Sequence, residues 1–248
     1  MAVSGRPDSE RPVTPPKRTG TTSRLRVRIE ERAPVSLLDL TPDELLTTTR
    51  SVRKRLDLTR PVPLDLVKEC LDIALQAPSG SNRQTWHWMV VTDKDQRAAI
   101  GEYYRRAVRS YLTSEGSCAS LYADHPVRHP EQQRVGDSVA YLGEHMADVP
   151  VLVIPCLDAK EAPEYNEAGM WGSVIQAAWS YMLAARARRL GTAWTTLHLM
   201  YEKEIAELLG MPDGIVQAAL IPTAFSIGTD FRPAARQPLA SVMHLDTW

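Results

Sequence analysis

The chain has 248 residues, with 44% apolar and 24% charged side chains and a formal net charge of -1. That profile fits a soluble globular protein with core enough to need no staples, and its near-neutral balance gives no global attraction to nucleic acid or an anionic membrane. Three cysteines, Cys70, Cys118 and Cys156, stand far apart in no ligand spacing, which argues against disulfides and a zinc site and for buried thiols in a reducing compartment. No apolar run is long enough to span a bilayer, and Met1 is followed by no apolar signal core, so the expected location is cytoplasmic, with no metal.

Residues 1–34 read as an extension. Pro7, Pro12, Pro15, Pro16 and Gly20 interrupt any periodicity, and Ser, Thr and Arg fill the gaps. Arg24, Arg26 and Arg28 raise the possibility of a nucleic-acid arm, but acidic residues dilute the charge and no aromatics interleave, so no nucleic-acid partner is expected. Folded structure starts at Thr41-Pro42-Asp43-Glu44, a capping box with Pro at the first helical position. That helix delivers the basic run Arg50-Ser51-Val52-Arg53-Lys54-Arg55. Leu64, Val67, Leu71 and Leu75 recur at helical spacing and predict an amphipathic helix over 63–76. Pro78 and Gly80 break it, and a polar turn leads into a strand at 87–92. A helix is expected over 93–115, then an aperiodic stretch in which Pro126 and Pro130 keep His125 and His129 off one regular helix. A helix over 139–147 leads to the apolar run 149–156, which suits a central strand buried on both faces. The longest helix, about 168–190, is apolar nearly all round, with Gly191 as its expected C-cap. Thr192–Thr196 reads as strand, Tyr201–Leu209 as a short helix, Val216–Ile227 as one strand, and the chain from Thr229 as an outward tail.

The most informative stretch is Ala77-Pro78-Ser79-Gly80-Ser81-Asn82-Arg83-Gln84-Thr85-Trp86. Ser, Asn and Gln there both donate and accept hydrogen bonds, which suits a heterocycle or sugar-like chain that does the same. Followed by an apolar strand, it resembles the FMN-dependent nitroreductase family. Arg50-Ser51-Val52-Arg53, Leu190–Thr196 and Phe231–Leu239 resemble further motifs of that family, in order, from about Leu45 to Trp248. Two positions depart from its pattern: Thr49 stands where a second Arg is common, and Thr85 where Pro is common. Arg232 has no clear match in that pattern.

The resemblance implies an α+β, three-layer α/β/α fold with a central, mostly antiparallel sheet, a long dimer-interface helix and a swapped C-terminal arm. It implies a single domain over 35–248, with a variable helical lid at about 103–148. The expected cofactor is FMN, at the interface of a homodimer, with NAD(P)H as co-substrate. Arg50, Ser51, Arg53 and Arg236 would hold it at the phosphate and ring edge, Pro78, Ser79, Asn82 and Gln84 at ribityl and ring, and Ala193, Trp194, Thr195 and Thr196 along the ring. Arginine forks suit a phosphate of nearly two negative charges. No Rossmann fingerprint, P-loop or nucleophile elbow is present, so the flavin, not a catalytic side chain, would carry the chemistry. The expected activity is ping-pong reduction of a nitroaromatic or quinone-type acceptor. The alternatives are a non-catalytic flavin-binding or storage protein, or a reductive dehalogenase or flavin-fragmenting relative on the same fold.

Overall fold

The computed structural model describes residues 36–161 and 167–248, so the N-terminal extension at 1–34 lies outside the described residues. Helices α1 (Pro42–Thr48), α2 (Leu64–Ala74), α3 (Lys94–Leu112), α4 (Arg128–His145), α5 (Glu167–Ala187) and α6 (Glu202–Leu209) surround five strands. These are β1 (Trp86–Val91), β2 (Val151–Asp158), β3 (Leu190–Thr192), β4 (Ile215–Gln217) and β5 (Ile221–Phe225). The sheet runs β1-β2-β5-β3, with β4 also on β2, and all named pairs are antiparallel.

The centre is β2, buried from Val151 to Leu157. Because side chains alternate across a strand, Val151 and Val153 pack with Leu66, Val67, Cys70, Ala178, Tyr181 and Ala185 of α2 and α5. Leu152, Ile154 and Cys156 pack instead with Ile100, Tyr104, Val139, Leu142 and Ile205 of α3, α4 and α6. Two helical layers therefore sandwich one sheet, as the continuous apolar run requires. Inside the α2/α5 layer the Tyr181 hydroxyl meets Thr223 Oγ1 at 3.0 Å, giving the fully buried phenol a partner on β5. Desolvation drives that phenol's pKa upward.

Several local readings change. Val216–Ile227 is two strands: Cys156 pairs Gln217 and Val153 pairs Ile221, so Ile154 and Pro155 face the three residues Ala218, Ala219 and Leu220. Pro155 has no N–H to extend that ladder, and the bulge turns Leu220 away to exchange two backbone hydrogen bonds with Thr195, at 2.8 and 3.2 Å. The helix expected over 168–190 ends at Ala187; the left-handed residue after it is Arg189 (φ 64°), and Gly191 lies inside β3. The expected helix at 139–147 begins earlier, at Arg128, because Pro130 falls in its first turn, where a missing N–H costs nothing. His125 stays outside α4 while His129 joins it, and the described residues hold no group of His, Cys, Asp and Glu able to bind a metal. Among them, no helix is long and apolar enough to cross a membrane.

Helix α3 meets the turn after α4 at Gly101, where an added Cβ would stand 2.7 Å from the backbone nitrogen of Ala147. Gly→Ala inside a helix ordinarily gains about 1 kcal/mol, but overpacking against backbone costs about 1–3 kcal/mol. Gly101→Ala is therefore expected to lower the urea midpoint at unchanged m-value. A raised midpoint would show that the two elements separate freely.

Candidate active site

Residues 51–57 extend the sheet past β3. Ser51 bridges Thr192, the Val52 N–H donates to the Thr192 carbonyl at 2.8 Å, and Asp57 N–H reaches Phe225 O at 2.8 Å. Val52 and Leu56 point into the core. The approach is close enough that a Cβ on Gly191 would meet Val52 Cγ1 at 2.9 Å and Leu56 Cδ2 at 3.1 Å. With Val52 inward, Arg50, Ser51 and Arg53 face an open cleft of about 1510 Å3.

Three elements complete that cleft. Trp194, Ile175, Trp179 and Met182 form an apolar and aromatic wall. Helix α4 contributes Glu131, Gln132, Arg134, Val135 and Ser138. The chain after β5 returns as Asp230 to Arg236. This return is pinned: Arg186 Nη2 donates to Thr229 O at 2.8 Å, Arg55 pairs with Asp230 at 2.7 Å, and Arg55 stacks on Phe231 with its guanidinium carbon 4.3 Å from the ring centroid.

The guanidinium groups are the electrostatic feature. Arg50 Nη1 donates to Arg232 O at 3.3 Å, and its pKa is lowered, first by burial and then by the like charge of Arg236. Arg53 reaches Ser138 Oγ at 3.4 Å, and its buried Nε has no hydrogen-bond partner among the described residues. A buried N–H without a partner among the described residues, in the same cleft as two cations that repel one another, is a donor set that an anion could complete.

The cleft gathers Arg50, Ser51, Arg53, Trp194 and Arg236 from the expected residues. Ala193 is fully buried. Thr195 has committed its N–H to Leu220 and its hydroxyl to Tyr104 Oη at 3.0 Å, and Thr196 is exposed just beyond. The Pro78–Gln84 turn lies elsewhere. Gly80 N–H donates to Ser173 Oγ at 3.0 Å, Gln84 N–H to Ser79 Oγ at 3.2 Å, and Gln84 Nε2 to Asn82 Oδ1 at 3.0 Å. Ser81, Asn82 and Gln84 adopt positive φ (53°, 53° and 55°) in an exposed turn. At roughly 100° per residue, Ser173 occupies the face of α5 opposite Ile175, Trp179 and Met182. One chain thus presents its two polar motifs on opposite sides of one helix. Sequence reading missed Trp179 and Arg134, whose only signal was position on a helix face.

The cleft thus sets arginines beside a tryptophan wall. The Nitroreductase family model matches residues 46–224, and the chain belongs to this family of FMN-dependent oxidoreductases. A protein of Methanothermobacter thermautotrophicus, named as a candidate NADH dehydrogenase/NAD(P)H nitroreductase, is 25% identical over 210 residues, covering 83% of this chain and 86% of that one. Two solved structures share the fold. Oxidized iodotyrosine deiodinase bound to FMN and 3-iodo-L-tyrosine superposes with a TM-score of 0.64 at 18% identity, over 83% of this chain and 99% of its own. An FMN- and NADPH-dependent nitroreductase from Sphingopyxis sp. strain HMH gives 0.61 at 20% identity, over 84% and 100%.

Just past Thr196, His198 is fully buried, with no hydrogen-bond partner for either ring nitrogen among the described residues. Burial pushes its pKa from 6.5 down to about 3. A depressed basic group is neutral in the fold but protonates in the unfolded chain, so its contribution is intact above pH 6.5 and is lost as pH falls toward 3. The loss between pH 7 and pH 5 is about 2 kcal/mol. His198→Leu should flatten that part of the stability-pH curve in chemical denaturation, and parallel curves for the two proteins would remove His198 as the cause.

Proposed function

We propose that this chain is an FMN-dependent oxidoreductase. It takes reducing equivalents from NAD(P)H and passes them to an electron-poor small molecule of nitroaromatic or quinone type, in a ping-pong cycle. The observation that carries this reading is the meeting of Arg50 and Arg236, neither in an ion pair among the described residues, beside the wall of Trp179 and Trp194. An FMN phosphate fits between the guanidinium groups, and the tryptophan wall fits a flat ring.

When bound, FMN supplies the redox ring that NAD(P)H reduces and the acceptor reoxidises. The chain supplies the rest. Arg50 and Arg236 anchor the phosphate, with Ser51 as a further hydroxyl donor. Arg53, whose Nε has no hydrogen-bond partner among the described residues, offers positive charge to the end of the ring that becomes electron-rich on reduction. The wall of Ile175, Trp179, Met182 and Trp194 gives the ring an apolar side. Helix α4, within the expected lid, covers another side, and its cleft-facing residues select the acceptor.

The site is shared between two copies in this reading. Pro78, Ser79, Asn82 and Gln84 cannot reach across α5 to their own Arg50, but in a two-fold dimer the turn of one copy meets the cleft of the other. Exposed apolar residues fit burial by a partner: Ile175 and Trp179 on α5, and Leu239, Val242, Met243 and Leu245 on the C-terminal arm.

The purified protein should show a flavin spectrum that bleaches on anaerobic addition of NADPH or NADH and recovers with a nitroaromatic or quinone. Bound flavin that neither donor bleaches would sink the reductase and leave a flavin-holding protein. Arg50→Ala should abolish FMN retention. The shared site has its own test: R50A and N82A dimers each lack intact sites, whereas co-expressed mixed dimers regain one of two. Absence of any recovered FMN in the mixed preparation would place the whole site within one chain.

A further inference from the structure

We propose that Arg232 is a third phosphate-binding guanidinium at the Thr49–Arg50 corner of the cleft. The inference rests on the FMN reading above and concerns a residue that no motif assigns.

Thr49 lines this corner but brings no charge, and its hydroxyl is already donated to Leu45 O at 2.6 Å, closing α1. The returning arm brings a cation to the same corner. Arg50 Nη1 lies 3.3 Å from the Arg232 carbonyl oxygen. A carbonyl oxygen is roughly 2.4 Å from its own Cα, so the Arg232 Cα stands within roughly 6 Å of the Arg50 guanidinium. From there an arginine side chain is long enough to share any anion Arg50 holds.

That placement is fixed from behind. Arg186 holds Thr229 at 2.8 Å, Arg55 holds Asp230 at 2.7 Å, and both guanidinium carbons stack on the Phe231 ring, at 4.8 and 4.3 Å. Asp230, the nearest acid along the chain, is bonded to Arg55 and also feels the charge of Arg232, but no ion-pair contact is formed by Arg232 among the described residues. The Arg232 side chain is exposed, so it is free to close over an arriving phosphate. A ligand phosphate of nearly two negative charges has room for three guanidinium partners, and charge-assisted bonds of this kind are the strong ones.

The experiment compares FMN with riboflavin, which has the same ring and ribityl chain without the phosphate. Both are titrated into full-length wild type, R232A and R50A by flavin fluorescence, at low and high salt. R232A is expected to weaken FMN about tenfold, to leave riboflavin affinity and the flavin-free thermal midpoint unchanged, and to show a shallower salt dependence than wild type. FMN binding equal to wild type in R232A, with R50A impaired, would overturn the assignment while leaving the FMN site standing. Equal weakening of both flavins would also overturn it, by showing that Arg232 only orders the arm. Wild type that prefers FMN no more than riboflavin would overturn the phosphate site itself, and this role with it.

Discussion

Everything at the cleft depends on how closely one stretch of backbone approaches another. Residues 51–57 lie on β3 because Gly191 has no side chain; any Cβ there would press on Val52 and Leu56. The contact buries Val52 and Leu56 and pairs Ser51 with Thr192 and Leu56 with Ser226. What it achieves is electrostatic. Arg50 and Arg53 are mounted on a sheet edge instead of a free loop, so little conformational entropy remains to be lost when a ligand orders them. A tail that began at Arg50 without this docking would have the same charges and far weaker recognition.

The same sheet sets the other boundaries. Alternation along β2 sends Val151 and Val153 to one helical layer and Leu152 and Ile154 to the other, which places α5 on one side and α4 on the other. The bulge opposite Pro155 ends β4, and Leu220 is freed to pair with Thr195. That exchange, with the Tyr104–Thr195 bond at 3.0 Å, holds the chain after β3 so that Trp194 looks into the cleft while Ala193 looks into the core. A missing N–H in a central strand thus determines where an aromatic wall stands.

Legibility in the sequence followed the range of the forces involved. The capping box at Thr41 and Glu44 was readable because both hydrogen bonds, 3.2 and 2.8 Å, close within one turn. Helix α2 and strand β2 were readable because their burial is periodic or continuous. Gly191 was misread as a helix cap because a glycine after a long helix is locally indistinguishable from one that makes room for a neighbour; the neighbour, Val52, is 139 residues away in sequence. The split of 216–227 was hidden for the same reason, since its cause is a proline on the facing strand. At the site, residue type and order named Arg50, Arg53, Trp194 and Arg236. They gave no hint that α5 stands between those residues and Asn82, because motif order along a chain carries no record of which face of a helix each motif meets.

A site built this way is a local cost to the fold. Arg50 and Arg236 repel each other, and Arg53 Nε is desolvated without a partner among the described residues; a sequence selected for stability alone would place an acid or an apolar residue there. Arg55 shows the contrast within the same cleft: it is paired with Asp230, stacked on Phe231 and bonded to Ile227 O at 2.7 Å, so its charge is spent on structure. The difference separates two classes of arginine by their partners. Those with acid and aromatic partners hold the returning arm, and those without such partners among the described residues are the ones proposed to meet an anion. A ligand that neutralises the second class relieves repulsion already stored in the folded chain, and its binding therefore stabilises the fold as well as filling the cleft.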